Sequence, residues 1–347
     1  MSQRNCLNSF SRRQMLSIGI TAAGGFAGAM IAGCASPGTG MSGGVPTTVS
    51  KNANPEGILV AQTTGLSIVN LSPNLVDEIE SIINAKGTIE NGLLHIGIDR
   101  DDIPNVTLRG VPILPSFEIN GDLYFQCLGG NEVILNADLC VKGSETQDFI
   151  GELIKHNIAF QAFHQHFYDF SPIVWFVHFR ARGDGVQIAR GIKAALNVTS
   201  TPFPQSPPAH PTTPLPAEEL GDILGAKPSI GANGVVSFNV PRDDAIILGG
   251  TRISPYLNVA TSINFEPYGG GINAAAVPDY GMIATEIQRV VGLQLSRGWD
   301  IGCLYNQETD EQPQLFFSHQ FKTGNSLQLA REIRAALNLM DMKFESV

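Results

Sequence analysis

Two histidines one residue apart, His164 and His166, sit in the run Phe163-His164-Gln165-His166-Phe167. On an extended strand, residues i and i+2 project from one face, ~6.5–7 Å apart. Two imidazoles so placed can bind one zinc or similar divalent ion when a third ligand joins them. Ile158, Phe160 and Ala162 share that face, so the pair ends an apolar row where a strand gives way to a loop. Asp169 follows in the loop and could ligate the ion or orient a histidine. The alternative is a pair of surface histidines satisfied by water.

His178 is a tentative third ligand. If Ile158–His166 and Ile173–Ala181 form a direct hairpin, position 164 opposes 174 or 175, and His178 lies about 10–13 Å further along. It reaches the ion only if the strands are bulged or are not partners. His319 occupies the same place in a later segment where Tyr305-Asn306-Gln307 replaces the histidine pair. A histidine kept without the pair favours a structural role for both His178 and His319. A second constellation is His95-Ile96-Gly97-Ile98-Asp99. H-x-x-x-D followed by H-x-H resembles the zinc-ligand order of LytM/lysostaphin-type endopeptidases, which implies His95, Asp99 and one of the 164/166 pair as ligands. The alternative is a strand with ordinary edge polar groups. A metal-dependent hydrolase would use the ion to activate water, with Asp169 or Glu132 as base. Nothing matches a G-x-S-x-G elbow, a P-loop or a dinucleotide fingerprint.

The elements that must position these residues come twice. Pro172–Asn197 aligns with Pro313–Asn338 at an offset of 141, with twelve of 26 positions identical. Arg100-Asp101-Asp102 recurs as Arg242-Asp243-Asp244, a triplet expected to fix a loop through charge-assisted hydrogen bonds. The chain therefore divides into a unit over 71–198, a linker over 199–216 with seven prolines, and a second unit over 217–347. In the first unit, Leu75, Ile79, Ile82 and Ile83 follow helical spacing, closed by Gly87. Strands are expected over Leu93–Asp99, Asp122–Leu128, Glu132–Val141, Ile158–His166 and Ile173–Ala181. The second and third join at a Gly129-Gly130-Asn131 turn, matched later by Gly269-Gly270-Gly271. Ser144 with Gln147 reads as a capping box, copied as Thr285 and Gln288. Asp184 with Gln187 caps the last helix, copied as Asn325 and Gln328. Hairpins mixed with helices predict an α+β fold: two tandem units, each a mainly antiparallel sheet with helices packed on one face. The units could share one sheet or stack as twofold-related halves.

Residues 1–33 read as an address. Ser11-Arg12-Arg13-Gln14-Met15-Leu16 resembles the twin-arginine export signal. The Leu16–Ala32 stretch is short for a spanning helix, which needs ~20 apolar residues. Ile31-Ala32-Gly33-Cys34 resembles a bacterial lipobox, with Cys34 as the lipidated new N-terminus. Residues 34–70 then form a flexible tether, and the membrane is the expected partner through the anchor. The alternative is a plain N-terminal membrane anchor. A chain of 347 residues with net charge −10 lacks the basic footprint of a nucleic-acid binder. Of the remaining cysteines, Cys127, Cys140 and Cys303, at most one pair can form a disulfide, and all three read as buried small hydrophobes.

Taken together, these residues resemble the LppY/LpqO-type bacterial lipoproteins, a family of unknown function with a duplicated domain. The carriers are Val133 to Val141 entering the Ser144 helix, Leu153 to Asn157, Phe163-His164-Gln165-His166 where the family shows a related H-N-H, Ser171-Pro172 to His178, and the Asp184–Asn197 helix. Arg180 stands where the family's strand carries a second histidine, and Tyr305 and Gln307 replace the pair in the second unit. A four-histidine site would be reduced here to His164, His166 and His178. The resemblance implies a lipid-anchored envelope protein with a duplicated domain; the residues themselves add the reading that it binds a metal, zinc for example, or a small ligand near His164 and His166. It brings no established activity. A purely structural or partner-binding lipoprotein remains the other reading.

Overall fold

A computed structural model describes residues 69–345. The export signal with Arg12 and Arg13, Cys34, and all but the last two residues of the tether lie outside them. The first unit runs α1 (Pro73–Ile83), β1 (Thr88–Glu90), β2 (Leu93–Gly97), β3 (Thr107–Leu108), β4 (Val111–Pro112), α2 (Pro115–Glu118), β5 (Gly121–Gly129), β6 (Glu132–Val141), α3 (Thr146–Lys155), β7 (Ala159–His164), β8 (Phe170–Ser171), β9 (Trp175–Asp184) and α4 (Gly185–Leu196). The second runs α5 (Ala217–Leu224), β10 (Ser229–Ile230), β11 (Val236–Val240), β12 (Ile247–Leu248), β13 (Thr251–Arg252), β14 (Thr261–Pro267), β15 (Asn273–Met282), α6 (Ile287–Ser296), β16 (Asp300–Ile301), β17 (Glu311–Gln312), β18 (Phe316–Asn325) and α7 (Ser326–Leu337). Each unit builds a six-stranded antiparallel sheet of the same order, β1-β2-β5-β6-β9-β7 and β10-β11-β14-β15-β18-β16, plus a three-stranded one. This is the α+β architecture expected.

Strand alternation sorts each sheet into two faces. In the first unit, Leu94, Ile96, Leu123, Phe125, Leu135, Ala137, Val177 and Phe179 pack under Ile79 of α1, Phe149 of α3 and Ile192 of α4. In the second, Phe238, Ile263, Phe265 and Tyr280 do so under Leu220, Val290 and Ile333. Each of the Leu, Ile, Val and Phe side chains among them contributes about 1.5–3 kcal/mol on full burial. The opposite faces meet each other, giving four layers: helices, sheet, sheet, helices. Contacts between the units are reciprocal. Gln126 Oε1 of β5 accepts from the backbone N–H of Ser254 at 2.7 Å, while Glu266 Oε2 of β14 accepts from that of Leu114 at 3.0 Å. The small sheet of each unit packs on the inner face of the other, with Val106 and Leu108 beside Val277 and Phe321, and Leu248 and Leu257 beside Tyr124 and Ile134. Such mutual contacts define an isologous, twofold-like pairing. Stacked halves are therefore the outcome, not one shared sheet.

The repeated Arg-Asp-Asp triplet works as read from the sequence. Arg100, fully buried, donates to Asp102 (2.9 and 3.0 Å), to Glu145 (2.7 Å) and to the Cys140 carbonyl. Arg242 does the same with Asp244 (2.8 and 2.6 Å), Glu286 (2.7 and 3.1 Å) and the Gly281 carbonyl (3.1 Å). This corrects the capping boxes assigned to Ser144/Gln147 and Thr285/Gln288. Glu145 and Glu286 take the N-cap positions of α3 and α6 without capping side-chain bonds, because their carboxylates serve the arginines. The caps of α4 and α7 are as expected: Asp184 and Asn325 accept from the N–H groups of Gln187 and Gln328. α1 ends at Asn84 in the left-handed region (φ 64°), not at Gly87. Asparagine tolerates that conformation almost as glycine does. Cys127, Cys140 and Cys303 are all free thiols.

Candidate metal centre between the sheets

At the middle of the inner faces, the apolar alternation is interrupted. In the first sheet one cross-strand row reads Asp122, Asp138, His178, Ala162; the matching row of the second reads Ser262, Asp279, His319. Asp138/Asp279 and His178/His319 share the offset of 141, so each unit contributes an Asp–His pair to one interface. His164 and His166 enter from the end of β7.

His164 Nε2 and His178 Nε2 lie 2.9 Å apart. This corrects the spacing of 10–13 Å expected from a simple hairpin. His164 pairs with Phe176, and a bulge between Phe160 and Ala162 places Ala162 opposite His178. His164 and His178 are thus diagonal neighbours on one face, where long side chains meet. Two nitrogens at that distance share either a proton or a cation.

His166 is sandwiched between Phe176 (ring centroids 3.3 Å) and His319 (3.6 Å). Its Nδ1 lies 3.2 Å from Glu118 Oε2, while its Nε2 is buried with no hydrogen-bond partner. A carboxylate on one ring nitrogen with the other left free is the arrangement that orients metal-ligating histidines. Gly302 permits this approach of the second unit: a Cβ there would collide with the His166 carbonyl and the Phe167 ring. Tyr305 covers the site, stacked on His164 at 3.6 Å and donating its hydroxyl to Asp279 Oδ2 at 3.2 Å. The other oxygen of Asp279 lies 3.5 Å from His319 Nδ1, and the Cys303 thiol is 3.3 Å from the same nitrogen.

The electrostatics favour neutral imidazoles. Burial pushes His164 down to about 4 and holds His166, His178 and His319 well below their ordinary value; neighbouring histidines add to this for the last three. Their lone pairs are therefore available at neutral pH, the form metals bind. Burial acts oppositely on the acids: Glu118 and Asp138 are pushed well up, and Asp279 to about 7.

Among the described residues, two groups bring ligand atoms within 4.8 Å of one another: His164, His166 and His178, and Glu118, His166 and His319. The histidine cluster could hold a metal ion. Bonds of ~2.0–2.1 Å need donors within about 4 Å of each other, so small side-chain rotations close either set. Nitrogen-rich donors suit zinc and its neighbours better than calcium or magnesium. Since Glu118 already holds His166 Nδ1, the first set leaves Nε2 free for the ion and keeps Glu118 as its orienting partner.

The remaining expectations sort cleanly. His95 and Asp99 do not join these groups: His95 Nε2 bonds Asp122 at 2.6 Å and its ring stacks on Tyr124. Asp169 pairs with Arg109 and Glu132 with Arg182, and neither acid belongs to these groups. Sequence reasoning missed Glu118, Asp138, Asp279 and the inclusion of His319. The signal for the aspartates was present, an identical acid inside two mainly apolar strands at the repeat offset. Glu118 has no counterpart and nothing marked it.

The cluster forms the floor of a pocket of ≈ 60 Å³ lined by His166, His178, His319, Asp138, Asp279 and Tyr305. Asp122, Asn258, Ser262 and Asp279 line both this pocket and a larger cleft of ≈ 270 Å³ between the sheets. Fold and site thus define a duplicated α+β domain closed face to face over a buried histidine cluster. Residues 77–198 and 218–339 each match the family described as Domain of Unknown Function (DUF1259), and the chain belongs to that family. No curated protein and no solved structure matches it.

Proposed function

We propose that the chain is an exported, lipid-anchored envelope protein that binds a divalent transition metal between its two repeats. The observation that carries the metal reading is the free, buried Nε2 of His166, oriented by Glu118 beside the His164–His178 nitrogen pair. An orphaned buried nitrogen is costly unless something occupies it. Metal analysis of the mature chain tests this. One zinc-like ion per chain, lost in a His164→Ala/His166→Ala double variant, is the expected result; no ion above background at neutral pH removes the reading. Envelope anchoring is supported by the order of twin arginine, apolar stretch and lipobox. Its test is a Cys34→Ser variant, expected to lose the lipid-modified N-terminus and to leave the membrane fraction.

One observation favours a second reading, metal-dependent hydrolysis: the Asp279 carboxyl, near 7, faces a pocket that opens onto a cleft. A carboxyl poised at neutral pH can accept a proton from a bound water. Release of product from cell-wall or ester substrates, lost in Asp279→Asn with the metal retained, would distinguish enzyme from binder.

A further inference from the structure

The cleft that leads to the cluster has a chemistry of its own. It runs between β2 and β5 on one side and β11 and β14 on the other, with Gln205 and Ser206 of the proline-rich segment along its rim. Gln205 is fixed there, its amide bracketing the backbone of Asp99 at 2.7 and 2.8 Å. The volume of ≈ 270 Å³ is at the lower end of small-molecule sites, ~300–1,000 Å³.

Its lining disfavours anionic ligands. The lysine of the cleft, Lys86, is ion-paired with Glu80 at 2.6 Å, and His95 with Asp122. An anionic group would meet Glu90, Asp99 and Asp122 without a free counter-charge. A cationic ligand is the competing class, since Glu90 keeps its charge when it accepts from Thr88 at 2.8 Å, and a spermidine probe decides between the two. What remains is a set of neutral groups. The side chains of Asn120, Ser237 and Ser262 line the cleft and make no hydrogen bond to another described residue. Beside them in the lining, the His95 ring stacks parallel on Tyr124 (centroids 4.3 Å, 4°).

We infer that this cleft binds a neutral, hydroxyl-rich ligand of the saccharide class. Each sugar hydroxyl both donates and accepts, matching amide and hydroxyl partners, and the apolar face of a pyranose lies flat on a planar ring. A saccharide seated there reaches Ser262 and Asp279, which the cleft shares with the inner pocket. The assignment stands on the cleft and does not require the metal.

The test is calorimetric titration of the mature chain with maltose, cellobiose and N,N′-diacetylchitobiose up to about 10 mM, a range that detects millimolar affinity. Glucose 6-phosphate and spermidine serve as charged probes. At least one neutral disaccharide should bind saturably, more tightly than either charged probe. Asn120→Ala should weaken it roughly 2–10-fold, the loss of one hydrogen bond, and Ser237→Trp, which fills the cleft, should abolish it. Metal content and melting temperature of the variants report whether the fold persists, and Asn120→Ala serves alone if Ser237→Trp does not fold. Absence of binding by all three disaccharides, tighter binding of either charged probe, or binding that disappears on metal removal by EDTA would each overturn the assignment. Saccharide binding to a chain that carries no metal would remove the metal reading and leave this one standing.

Discussion

The two repeats share element order, a buried arginine triplet and an inner-face Asp–His pair, yet they treat positions 164/305 and 166/307 differently. The first repeat places imidazoles there at and just beyond the end of a six-residue strand, β7. The second places Tyr305 and Gln307 after a two-residue strand, β16. The consequence is a division of labour. One repeat supplies the free nitrogens; the other supplies a lid ring, Tyr305 on His164, and a supporting ring, His319 on His166. Parts kept in both copies maintain the fold and the polar floor, whereas parts that differ decide which half can hold an ion.

The largest expected effect tests the sameness of the halves. Removing one partner of a buried ion pair costs about 3–5 kcal/mol because the other charge is left uncompensated. Arg100→Met and Arg242→Met should each lose that much in urea unfolding, and a marked inequality would break the equivalence. Next comes Asp279. Its folded carboxyl titrates near 7 against an ordinary 3.8, so the fold prefers the protonated form. This contribution is complete below the unfolded value and is lost as pH rises through 7, by at most ~4 kcal/mol. In metal-free protein, Asp279→Asn should therefore flatten the fall in stability between about pH 4 and pH 7.

Metal affinity probes the difference between the halves directly. His178→Ala should cost more than ~100-fold, beyond the ~10–100-fold typical of an outer partner, while His319→Ala should stay within about tenfold. The reverse order, with the larger loss in His319→Ala, would mean the ion sits on the second group, with Glu118 as a ligand. Under the first arrangement Glu118→Gln should lower affinity ~10–100-fold and leave the metal-free fold intact, as seen by circular dichroism. The smallest effect returns to shared parts. Asp184→Ala and Asn325→Ala each remove a helix cap worth about 1 kcal/mol, and their melting temperatures should fall alike.

Much of this was legible in the residues. The offset of 141, the α4 and α7 caps, the arginine triplets and the His164/His166 pair follow from local identity and period, which need no knowledge of packing. The rest required tertiary information. His178 joins His164 only because of a bulge at Phe160/Ala162, which no local pattern announces. His319 joins His166 only because the sheets stack inner face to inner face. Glu118 reaches His166 from α2, a single-turn element without a counterpart in the second unit. The capping boxes failed for a related reason: a buried arginine outbid the helix for Glu145 and Glu286.

The reciprocal contact of Gln126 with Ser254 and Glu266 with Leu114 has an evolutionary corollary. Two identical unlinked subunits meeting this way would carry every substitution twice, once on each side of the axis. A gain at one seat would come with the same change at its mirror seat. Joining the copies in one chain releases them from that rule. Tyr305 and Gln307 can then stand in one half at the seats that His164 and His166 hold in the other, a difference that two identical subunits could not carry.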